Sequence, residues 1–189
     1  MERPLIDRLL EIAYERVAER LQHVLDRGVG PIFRFGGSEQ ATPPMMSKRM
    51  FDQFVLLYER PLWQMVRKAE KTVWVHCHGK VNTVIDDFVE GGVQLLDPVE
   101  PPPQGNIDIA EAKRRAAAGP TTLIGNIQYS DLCQRSTREI ERLVEQAICE
   151  GGRQHFILGP TEFPISALDE RLSDNLLCYI EAGIKYGTF

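Results

Sequence analysis

Five times along this chain a short apolar run ends in glycine or a polar residue and gives way to a stretch with helical spacing. No other feature constrains the fold as much, because regular strand–helix alternation calls for parallel strands joined by crossover helices. The runs are the glycine-bounded stretch 30–37, then Val73 to His76, Val93 to Leu96, Thr121 to Ile124 and His155 to Leu158. Ahead of the first, residues 5–27 place apolar side chains at Leu5, Leu9, Ile12, Val17, Leu21, Val24 and Leu25, a helical spacing that Gly28 ends. Ser47 caps a helix to about Lys71, in which Pro61 predicts a kink or two pieces. Val81 to Glu90 is helical up to Gly91-Gly92, and Asp108 caps a helix to Ala118. Ser136 and Glu139 have capping-box spacing and open a helix to Cys149. A last helix runs from about Leu172 to Tyr186. The segments SEQATPPM, DPVEPPPQGN and GPTEFPISALDE read as loops.

Two architectures satisfy this order. An open doubly wound sheet usually carries a glycine fingerprint after its first strand, and "RFGGSEQ" is not one. A (β/α)8 barrel of eight units takes roughly 250 residues, so the 189 residues here fit about five units. The expected fold class is therefore α/β: five parallel β/α units plus an N-terminal helix, either an open sheet or the later part of a TIM-type barrel.

Composition narrows the function. A hydrophobic fraction of 43% with 26% charged residues is ordinary for a globular domain. The formal charge of −5 argues against nucleic acid as a partner. The basic clusters Lys48-Arg49 and Lys113-Arg114-Arg115 read as solvated helix faces. Four cysteines without CxxC spacing read as reduced thiols. No apolar run approaches the roughly 20 residues that cross a bilayer. The expectation is a soluble, cytoplasmic protein with no membrane partner.

In parallel α/β folds function sits at the C-terminal strand ends. Here those ends offer Arg34, Ser38 and Glu39; His76 and His78; Asp97 and Glu100; Asn126 and Gln128; Thr161 and Glu162. Along "VWVHCHG" side chains alternate, so His76 and His78 share one side while Cys77 faces the helices. Two imidazoles so placed can chelate one ion, and Asp97, Glu100, Glu39 and Glu162 are candidates for a third ligand. A lone strand-end histidine is more often a hydrogen-bonded structural residue, and the His-x-His pair is what raises the case for metal. Prolines on both sides of Glu100 stiffen its loop and favour a positioned acid. Cys133, Cys149 and Cys178 read as small core residues.

The order and spacing of "VHCHG", "LLDPVEPPP", "AKRRAAAGPTTLIGNIQ", "ILGPTEFP" and the closing "YIEAGIKYG" resemble the uroporphyrinogen decarboxylase superfamily, which includes the cobalamin-dependent methyltransferases. The resemblance runs from about Gly30 to Gly187. It implies a (β/α)8 barrel. Residues 1–189 then form a single domain equivalent to its C-terminal portion, from roughly the fourth strand to the eighth and lacking the first three. In the methyltransferases a His-x-Cys pair before glycine, with a later cysteine, holds zinc that activates a thiol. In this sequence the pair is His76-x-His78, and the later position holds Thr161 beside Glu162. The decarboxylases use no metal, and their arginines and aspartate lie in the part of the barrel this chain does not match. Their last-strand histidine falls at Pro160.

The resemblance thus implies a metal-assisted, methyltransferase-like enzyme. His76 and His78 are metal ligands, with zinc as the candidate ion. Glu100, Glu162 and Asn126 are candidate catalytic groups, and Arg34, Glu39, Asp97 and Gln128 are candidate substrate contacts. A small molecule is the substrate, a corrinoid the methyl donor and a corrinoid protein or a second copy of the chain a partner. The alternatives are a metal-free decarboxylase of a tetrapyrrole or other polycarboxylate, and an inert barrel fragment whose open edges need covering.

Overall fold

The computed structural model describes residues 3–162 and 167–188. Helix α1 (Arg3–Asp26) precedes strand β1 (Ile32–Gly36), and a 3-10 turn at Ser38–Ala41 follows. Then come α2 (Lys48–Phe51), a π-helical segment Asp52–Leu56, α3 (Leu57–Lys68) and β2 (Thr72–His76). A 3-10 turn at Val81–Thr83 leads into α4 (Ile85–Glu90), β3 (Leu95–Val99), α5 (Ile109–Ala116) and β4 (Thr122–Ile127). The chain continues through α6 (Tyr129–Gln134), α7 (Thr137–Gly151), β5 (Phe156–Pro160) and α8 (Glu170–Gly187).

All five strands are parallel and lie in the order β1-β2-β3-β4-β5. A doubly wound sheet reverses its order at a switch point. This sheet never does, so the chain is a partial TIM-type barrel. One face is the core. Val73, Val75 and Cys77 of β2 and its exit are fully buried, together with Leu96 and Leu123, against Phe51, Trp63 and Phe88 from the helices. A second cluster joins Ile127 to Ile140, Val144, Leu172 and Ala182 on α7 and α8. The opposite, concave face carries Ile32, Arg34, Trp74, His76, Leu95 and Asp97, and lines an open cavity of about 930 Å³.

Local chemistry explains most element ends. Ser136 and Glu139 form the reciprocal capping box of α7. Asp108 accepts from the Glu111 amide at 2.7 Å, and Asp169 from the Leu172 amide at 2.8 Å. Five expectations are corrected. The break in the second helix lies at the π segment, one turn before Pro61; the widened turn relieves the ladder there, and Pro61 sits inside α3. Strand β3 starts later and runs through Asp97-Pro98-Val99, which read as loop. A central strand tolerates proline at an irregularity, and the β3–β4 register slips between Leu96 and Val99. Helix α6 stands in a stretch assigned no element. Helix α1 buries only Leu25 of its apolar residues: Leu5, Leu9 and Val17 are exposed, and the helix leans on α3 through Tyr14 and Tyr58, ring centroids 6.1 Å apart. Cys149 is also exposed, and Cys133 and Cys178 are half-buried rather than core.

Candidate active site at the C-terminal ends of the strands

Strand pairing assembles the site. In the β2–β3 ladder His76 lies opposite Asp97, and His76 Nδ1 meets Asp97 Oδ2 at 2.9 Å. The second oxygen, Asp97 Oδ1, accepts from the indole N–H of Trp74. Two residues on, His78 Nδ1 lies 3.3 Å from Glu100 Oε1. Glu100 Oε2 accepts from the Gly79 amide at 2.8 Å, and the residue is only 2% exposed. The imidazoles of His76 and His78 meet edge to face, centroids 4.6 Å apart. Both line the concave cavity, with Arg34, Trp74, Asp97 and Glu162. Arg34 sets its guanidinium 5.4 Å from the centre of the Trp74 ring.

Acidic groups surround His78. Its hydrogen bond to Glu100 raises its pKa against the opposing effect of burial, and the charges of Glu100, Glu162 and Glu39 add to the rise. Glu39 also accepts from the Gly37 amide at 3.1 Å. Cys77 faces the other way. It is fully buried, within 3.5 Å of the Thr42 hydroxyl, and burial pushes its thiol up to about 12. It is a core thiol with little thiolate at neutral pH.

Two other candidates, Gln128 and Asn126, go elsewhere. Gln128 is 2% exposed, and its Nε2 donates to Pro101 O at 2.5 Å, which pins the proline loop that carries Glu100. Asn126 lines a separate cavity of about 120 Å³ on the helix side, beside Asp108 and Asp131. Thr161, by contrast, lines the same concave cavity as His76 and His78; it is buried, with its amide tied to Ile127 O at 2.8 Å.

Two residues of the neighbourhood carried no assignment in the sequence. Trp74 shares the face of His76, which strand alternation could have revealed. Glu59 on α3 accepts from Ser38 Oγ at 3.0 and 3.2 Å, and burial raises its pKa to about 7. Between its ordinary value of 4.5 and about 7 the folded chain holds a proton there that the unfolded chain has lost. This group's contribution therefore declines as pH rises through that window and is level above it. Comparing urea midpoints at pH 5 and pH 8, Glu59→Gln should remove about 2 kcal/mol of the pH dependence. An unchanged dependence would mean Glu59 is ionised in the fold.

Sequential parallel strands and a helix-covered outer face define a partial β/α barrel, with polar groups gathered at the C-terminal strand ends. The chain belongs to the uroporphyrinogen decarboxylase (URO-D) family, whose model matches residues 1–161. No curated protein matches it. Among solved structures it is similar to a methyltransferase from Methanosarcina mazei, with a TM-score of 0.69 and 21% sequence identity. That match covers 95% of this chain and 50% of the methyltransferase, so the chain spans about half the neighbour's length.

Proposed function

We propose that this chain carries a methyltransferase-like site in which His76 and His78 hold a divalent metal, zinc by the chemistry of the donors. The observation that carries the reading is the pair of imidazoles in one cavity, 4.6 Å apart, each with Nδ1 against a carboxylate. Metal-bound histidines are commonly held in this way, the far ring nitrogen being left for the ion. Among the described residues no three His, Cys, Asp or Glu side chains are already grouped to hold an ion. A third donor must therefore come from a side chain that turns in, and Glu162 lines the same cavity.

A divalent ion there supplies a Lewis acid that favours the thiolate form of an acceptor thiol. A site of imidazole and carboxylate oxygen is harder than a thiolate-rich one. Glu100 is committed to His78 and Gly79, which favours it as an orienting group rather than a ligand or base. Glu162 is exposed at the rim, from which it can turn in as that third donor. Ile32, Leu95, Ile124 and Ile157 give the cavity an apolar lining, with Ile32 and Ile157 exposed, and Arg34 offers a cation to an anionic substrate group. The methyl donor is a corrinoid, delivered by a partner protein.

The metal-free decarboxylase reading has less support. A polycarboxylate calls for several cations, and Arg34 is the single Lys or Arg among the described residues lining the cavity. Incubation with methylcobalamin and a small thiol tests the proposal: zinc-dependent methylation should appear and fall to background in His78→Ala. Turnover that ignores both zinc and the substitution would refute it.

A further inference from the structure

We infer that Trp74 is a positioning residue for His76, acting through Asp97. The inference rests on the reading above only in that His76 serves the site through Nε2. A carboxylate accepts hydrogen bonds and an indole N–H only donates. With Trp74 Nε1 on Asp97 Oδ1 and His76 Nδ1 on Asp97 Oδ2, the two oxygens take one donor each. His76 must then carry its proton on Nδ1, which leaves Nε2 as a bare acceptor toward the cavity.

Asp97 alone would hold this arrangement loosely. The last torsion of an aspartate is broad and roughly two-fold, so a carboxylate with one partner can turn away. The indole removes that freedom by fixing the second oxygen. Trp74 is itself held: Val73 and Val75 on either side are fully buried, Arg34 lies opposite it in the β1–β2 ladder, and the Arg34 guanidinium covers its ring. Three neighbouring strands thereby fix one proton. The second imidazole has an equivalent support that uses the main chain, with the Gly79 amide on Glu100 Oε2 and His78 Nδ1 near Glu100 Oε1. The first support depends on a side chain and can be tested by substitution.

The experiment is nitrogen-15 NMR of the histidine rings in the full chain, without metal, at a pH where the rings are neutral. His76 should show a protonated Nδ1 and an unprotonated Nε2. Trp74→Phe keeps the ring and removes the donor. It should move the His76 Nε2 resonance toward the protonated position and leave His78 unchanged. Asp97→Asn should do the same to a greater extent. Zinc affinity, measured by competition with a chromophoric chelator, should fall about tenfold in Trp74→Phe. A His76 proton that stays on Nδ1 in Trp74→Phe overturns the inference, even if Asp97→Asn shifts it. So does a wild-type His76 with its proton on Nε2. If the wild type binds no zinc while the tautomer shifts occur, the metal reading fails and the positioning role stands. Should Trp74→Phe not fold, wild type and Asp97→Asn are compared at both ends of the relay: a His76 tautomer shift in Asp97→Asn together with faster exchange of the Trp74 indole N–H supports it, and the absence of either overturns it.

Discussion

Gly105→Ala is expected to lower stability by about 3 kcal/mol and to disable the site at the same time. An added Cβ would lie 2.0 Å from Glu100 O, 2.5 Å from Glu100 Cβ and 2.6 Å from the Glu100 carbonyl carbon. Two of these atoms belong to backbone, which cannot rotate away as a flexible side chain can. That backbone is also fixed, since the Gly105 amide bonds to Pro101 O at 3.0 Å and the Ile107 amide to Glu100 O at 3.3 Å. The clash must therefore displace the proline loop and carry the Glu100 carboxylate away from His78. Gly187→Ala is the control, because a Cβ there meets nothing within 4 Å. Urea unfolding should show a large drop for Gly105→Ala and almost none for Gly187→Ala. Equal midpoints would mean the loop is far more yielding than its hydrogen bonds imply.

Glu100→Ala should be similarly costly, for a different reason. The residue is 2% exposed, and its removal leaves the Gly79 amide and His78 Nδ1 without their acceptor. An unpaired buried donor costs about 1–3 kcal/mol, and these two are half-buried, so a total loss of about 1–3 kcal/mol is expected. Glu100→Gln retains one acceptor oxygen, enough for one of the two donors, and should lose about half as much. Both should weaken zinc binding about 10- to 100-fold. Denaturant titration separates the two variants. Equal stability in both would show that the loss of carboxylate charge, rather than of hydrogen bonds, dominates.

The strand–helix order was legible because each apolar run is short and ends in glycine or a polar residue, while Ser47, Asp108 and Ser136 cap the helices they open. Alternation along β2 also set His76 and His78 on one side and Cys77 on the other, which is where they lie. Past β2 the sequence lost detail. Proline at position 98 disguised the end of β3, so Asp97 read as a loop acid instead of a ladder neighbour of His76. On β4 simple alternation would set Asn126 beside Ile124 on the concave face. Asn126 lines the helix-side cavity instead, although its ladder with β5 is regular, and alternation gave no sign of this. Gln128 and Glu59 are polar residues whose partners come from distant segments, Pro101 and Ser38. Periodicity assigns a face to a side chain but carries no information on which distant group meets it there.

The central claim is that His76 and His78 form one ligand set. The most direct measurement is zinc content after equilibrium dialysis at fixed free zinc, with wild type, His76→Ala and His78→Ala side by side. About one zinc per wild-type chain is expected, and close to none in either variant. Equal zinc in all three, or none in the wild type, would contradict it.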